Sequence, residues 1–288
     1  MSAVLESRAA TGWQAELRLR FAATDSRTRL IERAHRGPLV VQRTFHPEGN
    51  PCHAYIVHPP GGVVGGDELR IDVRVDPGAH ALVTTPAATK FYRCASRQSL
   101  QSQELRAAGA TLEWLPQENI FYRGAHAATA TRVHVDPSSR FMGWEVACLG
   151  LPARGEAFDT GTLRLDFELW KARERGPPAL HAGASPVFID RLRLSGDSAA
   201  RQACWGLARC EALGTMLATP ATLADLETVR ALLADRPRAA ATLVDGVLVI
   251  RALDAQAETI RKLFIEAWRV LRPAIIGRDA VPPRIWNT

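Results

Sequence analysis

Polar and apolar residues alternate one by one through much of the first two thirds of this chain. The pattern is clearest in Trp13–Phe21, Leu69–Val75, Thr129–Val135 and Leu163–Leu169. Successive side chains of a β-strand point to opposite faces of the sheet, so the alternation predicts strands with one buried and one solvated face. Turn sequences such as Asp76–Gly78 separate these stretches. Many short strands divided by turns predict a mainly β protein.

The alternation does not by itself identify the architecture of the β body. Sandwiches, barrels and β-solenoids all use short strands with polar turns. No repeat unit of fixed length is visible in the sequence, so any solenoid would be irregular. An irregular β-solenoid and a β-sandwich both remain open from the pattern alone.

The last third of the chain changes to helical periodicity. Apolar residues recur with helical spacing from Leu223 to Leu233, and Thr222 with Asp225 forms a capping-box sequence. We therefore expect helical structure over about residues 199–235. The Asp245-Gly246 pair lies between two apolar runs and predicts a β-hairpin.

A second helix is predicted over about residues 255–271, where apolar side chains form one stripe. Asp254 can cap its N-terminus. Pro273 is expected to end it, because proline has no backbone N–H to donate within a helix. The following residues, 272–288, contain three prolines and are expected to form an extended tail.

Length and composition fit one soluble domain. The chain has 288 residues, of which 47% are hydrophobic and 23% charged, as in ordinary globular proteins. We expect residues 1–12 to be disordered and residues 13–288 to form a single β-rich domain. No apolar run approaches the ~20 residues that span a bilayer, and the N-terminus lacks the apolar core of a signal peptide. These features predict a cytoplasmic protein without a membrane partner.

The net charge of +6 comes from arginine, since lysine occurs only at positions 90, 171 and 262. Arginines are spread along the chain, often at alternating strand positions such as Arg18 with Arg20 and Arg191 with Arg193. That spacing predicts pairing with carboxylates on a solvated sheet face. A nucleic-acid interface usually clusters its basic residues among aromatics, so we expect no nucleic-acid partner.

The segment His58–Asp67 contains four glycines and resembles a phosphate-binding loop only superficially. It lacks the Gly-Lys-Ser/Thr ending of a P-loop, and a strand pattern follows it where a helix N-terminus would be required. A tight connection between strands, with positive φ at glycine, is the better interpretation. No nucleophile elbow or zinc-binding His-Glu-x-x-His is present either, so the sequence favours a protein that is not an enzyme.

Cysteine and histidine do not combine into a tight metal site. The five cysteines contain no CxxC pair and are expected to be mostly buried apolar residues. Cys52 and His58 flank a run that also contains His53. On a regular strand, however, Cys52 and His58 would lie about 20 Å apart and His53 would point the other way.

Six segments taken together carry a family resemblance. They are His58–Asp67, Thr84–Arg93, Leu112–Phe121, Gly143–Glu145, Gly150–Glu156 and Arg272–Trp286. In these segments the chain resembles the urease accessory protein family called UreD or UreH. The matches follow the family order and extend over nearly the whole chain.

The resemblance implies a non-catalytic scaffold with an irregular β-solenoid-like body and two helices. It also implies partners: UreF and the GTPase UreG, which dock together with this subunit on the apo-urease subunits. The complex would load nickel into the dinickel centre of urease, with GTP used by the partner GTPase. No cofactor would be held tightly by this chain, and Ni²⁺ would bind only transiently. A stand-alone β-rich binding module is the alternative interpretation.

A subunit of this kind is expected to offer nickel a polar passage with weak oxygen ligands, because a Cys/His cage would retain the ion. The candidates within or near the matching segments are Asp67, Glu68, Thr89, Glu145 and Asp190. Three of them also have a structural alternative: Asp67 could cap a turn, and Glu145 and Asp190 could pair with strand arginines.

Overall fold

A computed structural model describes residues 12–95, 97–172 and 184–287. The prediction of a mainly β protein with two helices is confirmed. The expected disorder over residues 1–12 lies outside the described residues, except for Gly12. In the described ranges, no helix combines the length and the apolar character needed to cross a bilayer.

Strands make up most of the described chain, and two α-helices lie in its last third. The strands are β1 (Gln14–Ala23), β2 (Thr28–Arg36), β3 (Val40–Phe45), β4 (Cys52–Val57), β5 (Glu68–Val75), β6 (His80–Thr84), β7 (Thr89–Phe91), β8 (Ser99–Ala107), β9 (Thr111–Trp114), β10 (Asn119–Phe121), β11 (His126–Val135), β12 (Arg140–Leu151), β13 (Glu156–Ala157), β14 (Thr162–Ala172), β15 (Ala184–Ser195), β16 (Ala212–Thr219), β17 (Ala239–Val244) and β18 (Val247–Asp254). The helices are α1 (Leu223–Leu232) and α2 (Ala257–Ile276). Short 3-10 helices cover Pro152–Arg154, Ala199–Arg201 and Arg284–Asn287.

The strands form two open sheets. A seven-stranded sheet has the order β15-β14-β11-β8-β5-β1-β2, and its five central strands are parallel. An eleven-stranded sheet has the order β17-β18-β16-β12-β9-β6-β4-β3, with β7, β10 and β13 attached beside this path. Among the described residues neither sheet closes into a barrel.

The chain passes back and forth between the two sheets. From β4 to β12 the long strands belong alternately to the eleven-stranded and the seven-stranded sheet, and β4, β6, β9 and β12 are parallel neighbours. Each pass therefore adds one strand to each sheet in turn. Side chains that alternate along every strand consequently meet between the sheets, which places the largest core there.

The core between the sheets takes apolar residues from both. Leu19 and Phe21 of β1 and Leu105 of β8 point inward from one sheet, and Trp114 and Phe141 point inward from the other. All five side chains are buried, at 2% exposure or less. This core confirms the interpretation of the alternating stretches as strands with one buried face.

A second core lies on the opposite face of the eleven-stranded sheet. There Trp144 and Ile250 of the sheet pack against Phe264 and Trp268 of α2. The molecule thus has three layers: the seven-stranded sheet, the eleven-stranded sheet and the helices. The outer side of the seven-stranded sheet is the only large sheet face in the described part that is covered mainly by charged side chains.

Arginine and carboxylate side chains pair across that outer face, as the spacing of the arginines predicts. Arg20 bonds Asp76 at 2.8 Å, Arg191 bonds Glu168 at 2.8 Å, and Arg193 contacts Asp166 at 2.7 Å. The Arg191 and Arg193 pairs join the neighbouring strands β14 and β15. The positive charge of these arginines is therefore largely balanced by neighbouring carboxylates on the same sheet face.

The first predicted helix is shorter than expected. Of the span 199–235, only Leu223–Leu232 is α-helical, and β16 occupies Ala212–Thr219. The prediction was wrong there because β16 inserts between β12 and β18, where sheet hydrogen bonds override local preference. The capping box is confirmed, since Thr222 and Asp225 satisfy each other's backbone N–H groups.

The second helix runs further than expected, to Ile276, so the tail 272–288 does not begin as an extended segment. Pro273 lies inside the helix, and the apolar stripe continues through Leu271 and Ile276, which are buried. Burial of this last turn offsets the one hydrogen bond that proline removes. Gly277, with φ of 79°, ends the helix.

The N-terminus of α2 also differs from the prediction. Gln256 is the N-cap residue, and its side chain makes no capping bond. Asp254 instead accepts a hydrogen bond from the Gln256 backbone N–H at 3.0 Å. The hairpin prediction is confirmed, because β17 and β18 pair across Asp245 and Gly246, whose φ values of 48° and 69° fit a type I′ turn.

Candidate functional site

A cavity of about 230 Å³ lies between the two sheets. One end is lined by the segments that follow β4 and β6, including His58, and by Thr89 at the start of β7. Its inner wall takes Gln101 and Gln103 from β8 of one sheet and Glu145 from β12 of the other. A core that is otherwise apolar therefore has several polar side chains among the residues that line this path.

A second cavity of about 50 Å³ continues in the same layer. Thr129 of β11, Asp190 of β15 and Thr215 of β16 line it. Both cavities are lined by Asn119, Glu145 and Val146. We call the two cavities together the inter-sheet passage, with Glu145 at the junction.

Glu145 is held at this junction by a hydrogen bond from the Thr131 hydroxyl. The same hydroxyl lies 2.9 Å from Gln103 Oε1, so one threonine connects side chains from both sheets. Burial raises the pKa of Glu145 to about 7, and the nearby negative charge of Asp190 adds to that rise, against the hydrogen bond from Thr131, which lowers it. A carboxyl with such a pKa exchanges its proton near neutral pH.

Asp190 lies in the second cavity and is already paired. Its Oδ2 atom is 3.0 Å from the Arg251 guanidinium and 3.3 Å from the Thr215 hydroxyl. The Arg251 side chain is 56% exposed, so this ion pair lies at the boundary between the cavity and solvent. The predicted alternative role of Asp190 as an arginine partner is therefore realised, together with a position on the passage.

Several passage residues are absent from the sequence-based set. Gln101, Gln103 and Thr129 line the cavities and are buried polar residues on inward strand positions, as is Thr131, which bonds Glu145 without lining either cavity. The Thr129 hydroxyl has no hydrogen-bond partner among the described residues. Polar side chains at positions that the alternation assigns to the buried face were the signal that could have identified them.

Comparison with known proteins identifies the family. A family model described as UreD urease accessory protein matches residues 14–287. The chain belongs to the UreD family. The urease accessory protein UreD of Pseudomonas putida strain W619 is 44% identical, with 99% of this chain and 98% of that protein covered. The same protein of Klebsiella aerogenes is 42% identical, over 96% of this chain and 97% of that protein.

A third relative, the urease accessory protein UreD of Alkalilimnicola ehrlichii, is 44% identical over 96% of this chain and 92% of its own length. The resemblance found in the sequence is thereby confirmed. A UreD protein is an accessory protein of the urease system and not an enzyme.

Two of the predicted site residues of this UreD protein lie away from the passage. Asp67 ties down the glycine-rich connection, because its carboxylate accepts hydrogen bonds from the backbone N–H groups of Trp13 at 2.8 Å and Val64 at 2.9 Å. Glu68 begins β5 and pairs with the exposed Arg70 at 2.9 Å. Thr89, Glu145 and Asp190 are the three that line the passage.

Soft metal ligands do not converge in the described part of this UreD protein. No group of three or more His, Cys, Asp or Glu side chains there could hold a metal ion. Cys52 is buried in the core, whereas the next residue, His53, contacts Glu48 at 2.7 Å. His58 lines the larger cavity, and burial lowers its pKa, which favours the neutral imidazole.

Proposed function

We propose that this chain is a urease maturation factor that gives Ni²⁺ a polar route into apo-urease through the inter-sheet passage. The observation that carries the proposal is the junction at Glu145, where two cavities with polar side chains in their linings meet between the sheets. A half-buried carboxylate where two interior cavities meet suits a divalent cation in transit. Membership of the UreD family supplies the urease context.

The ligand chemistry along the passage suits transfer rather than storage. Thr89, Glu145 and Asp190 offer oxygen atoms, and Gln101 and Gln103 add amide oxygens. Nickel binds such oxygen ligands more weakly than it binds histidine or thiolate. An ion that enters beside the neutral His58 can therefore move along the passage in steps instead of being retained at one point.

The partners follow from the same proposal. We infer that the chain works in the cytoplasm, in a complex with UreF and the GTPase UreG on the apo-urease subunits. GTP is used by UreG, and this chain binds Ni²⁺ transiently without a resident cofactor. We also propose that the two-sheet body is an irregular β-solenoid, which the alternation of parallel strands between the sheets supports.

The test is activation of urease in cells that express the urease subunits, the other accessory proteins and variants of this chain in nickel medium. Glu145→Gln keeps the size of the side chain but removes its charge, and Asp190→Asn does the same at the second cavity. Glu68→Gln is the matched control, because this carboxylate lies on the outer sheet face. We expect Glu145→Gln to lower urease activity and its nickel content at least about tenfold, at the lower end of what loss of an outer-shell partner costs a metal site.

Unchanged activity in Glu145→Gln, at equal amounts of complex, would refute the passage. Equal activity with and without the whole chain would refute the maturation role and favour a stand-alone β-rich binding module. Equal losses in Glu145→Gln and Glu68→Gln would indicate a general effect of charge, which also contradicts a specific route.

A further inference from the structure

A second concave site lies on the outer side of the eleven-stranded sheet, at its β3 edge. It has a volume of about 480 Å³. Its floor is formed by Phe45 and Tyr55, whose rings stack with centroids 4.9 Å apart. Arg43 covers Phe45, with its guanidinium carbon 4.6 Å from the ring centroid, and Arg284 of the C-terminal tail also lines the site. We call this site the aromatic-arginine pocket.

The two arginines of this pocket differ from those of the seven-stranded sheet. On that sheet Arg20 and Arg191 each contact a carboxylate at 2.8 Å. Arg43 and Arg284 have no carboxylate partner in the part of the chain that the structure describes, and no acidic residue lines the pocket. Two uncompensated guanidinium groups beside an apolar floor form a site complementary to a carboxylate.

The shape of β3 contributes to this arrangement. The register between β3 and β4 shifts between Val41 and Thr44, so Gln42 and Arg43 form an irregularity at the sheet edge. The Arg33 guanidinium donates hydrogen bonds to the carbonyl oxygens of Val41 and Gln42, at 2.8 and 2.9 Å. Those two carbonyl groups are therefore already hydrogen-bonded, and the side chains of the pocket are the groups left for recognition.

The pocket also adjoins the inter-sheet passage. Val57 and Pro86 line both the pocket and the 230 Å³ cavity of the inter-sheet passage. A protein segment seated on Phe45 and Tyr55 would thus lie beside the end of the passage that contains His58 and Thr89. The place suits a partner that transfers a cation to this chain.

We propose that the aromatic-arginine pocket docks an acidic segment of the partner protein that hands over the metal. A carboxylate of that segment binds between Arg43 and Arg284, and an apolar or aromatic side chain packs on the Phe45–Tyr55 floor. This inference rests on the proposed function, and it adds the contact that positions the donor. Aromatic and arginine side chains that become buried when a complex forms dominate the affinity of many protein interfaces, and this pocket offers both kinds of side chain.

The test is capture of tagged chain from cells that also express the urease subunits, UreF and UreG, with the captured amount of each partner measured. In the double variant Arg43→Glu/Arg284→Glu, we expect capture of UreF together with UreG, the partners on the metal-donating side, to fall about tenfold or more, because like charges then face each other. Arg36→Glu is the matched control, since Arg36 is an exposed arginine at the end of β2 in the other sheet. It should retain wild-type capture.

Wild-type capture of UreF and UreG by the double variant, with an unchanged thermal unfolding midpoint, would overturn the proposal even if capture of the urease subunits fell. If the double variant unfolds, the single variants Arg43→Glu and Arg284→Glu decide the question by the same criterion. Glu145→Gln separates the two proposals, because it should lose urease activation while retaining partner capture. Loss of capture in Arg43→Glu together with normal activation by Glu145→Gln would refute the passage but leave the docking site supported.

Discussion

The buried guanidinium of Arg272 gives the sharpest stability prediction. It is fully buried on α2 and lies between two carboxylates, with Nη1 2.7 Å from Glu48 Oε2 and Nη2 3.0 Å from Glu113 Oε1. Trp268 of the same helix donates to Glu113 at 2.6 Å. The variant Arg272→Met keeps an unbranched apolar side chain but removes the guanidinium from both carboxylates, which leaves Glu48 with His53 and Glu113 with His80.

The expected loss is large. Burial by itself would raise the pKa of Glu113, but hydrogen bonds and charges from His80 and Arg272 lower it to about 2. The difference from the ordinary value of 4.5 corresponds to about 3 kcal/mol at neutral pH, shared between these two partners. Removing one partner of a buried ion pair typically costs about 3–5 kcal/mol. Since a domain is stable by only about 5–15 kcal/mol, Arg272→Met should lose a major part of the total.

Urea unfolding followed by tryptophan fluorescence measures this loss between pH 3 and pH 8. The lowered pKa of Glu113 stabilises the wild type above the unfolded value near 4.5, and this contribution is lost as the pH falls toward about 2. In Arg272→Met that dependence should weaken, and the variant should be closest to the wild type at the acid end. Adding Glu113→Gln to Arg272→Met should restore part of the stability. A loss below about 1 kcal/mol at pH 7 would refute the role of the network.

Three further predictions concern other parts of the molecule. Glu145→Gln should raise the free energy of unfolding near pH 8 by up to about 3 kcal/mol. The pKa of Glu145 in the folded protein is about 7, so the wild type loses stability as the pH rises from about 4.5 to 7, whereas glutamine does not titrate. Equal stability of the two proteins in urea at pH 8 would contradict this. Thr222→Ala should cost about 1 kcal/mol by removing the capping bond to the Asp225 N–H, measured by the same unfolding, whereas a neutral result would exclude the cap. Gly214→Val should lower the thermal midpoint, because a Cβ atom there would lie 2.7 Å from Phe264 Cε2, and a midpoint at or above that of wild type would show that α2 can move away.

Local pattern was sufficient for several of the strands and for the central part of each helix. The alternation in Trp13–Phe21 and Leu69–Val75 appears as β1 and β5, because the pleat of a strand enforces the same two-residue period as burial on one face. The capping box at Thr222 and the turn at Asp245-Gly246 were also visible, since both depend on residues adjacent in sequence. The end of α2 could not be predicted from the sequence, because burial of Ile276 against the sheet outweighs the local effect of Pro273.

The passage required the tertiary structure. Glu145, Asp190 and Thr89 were predicted for their chemistry, but Asp67 and Glu68 were predicted on the same grounds, and only the fold separates the two groups. Which inward positions face one another depends on the path of the chain between two sheets, which a two-residue period does not encode.

The mainly β class, the family and the candidate polar residues could thus be predicted from the sequence. Strand period, turn chemistry and family motifs are properties of neighbouring residues, so no knowledge of the fold is needed to find them. The position of Glu145 at the junction of two cavities, and that of Arg272 between Glu48 and Glu113, came from the fold alone. Those contacts join residues far apart in the chain, and they exist because the sheets and α2 exclude water together.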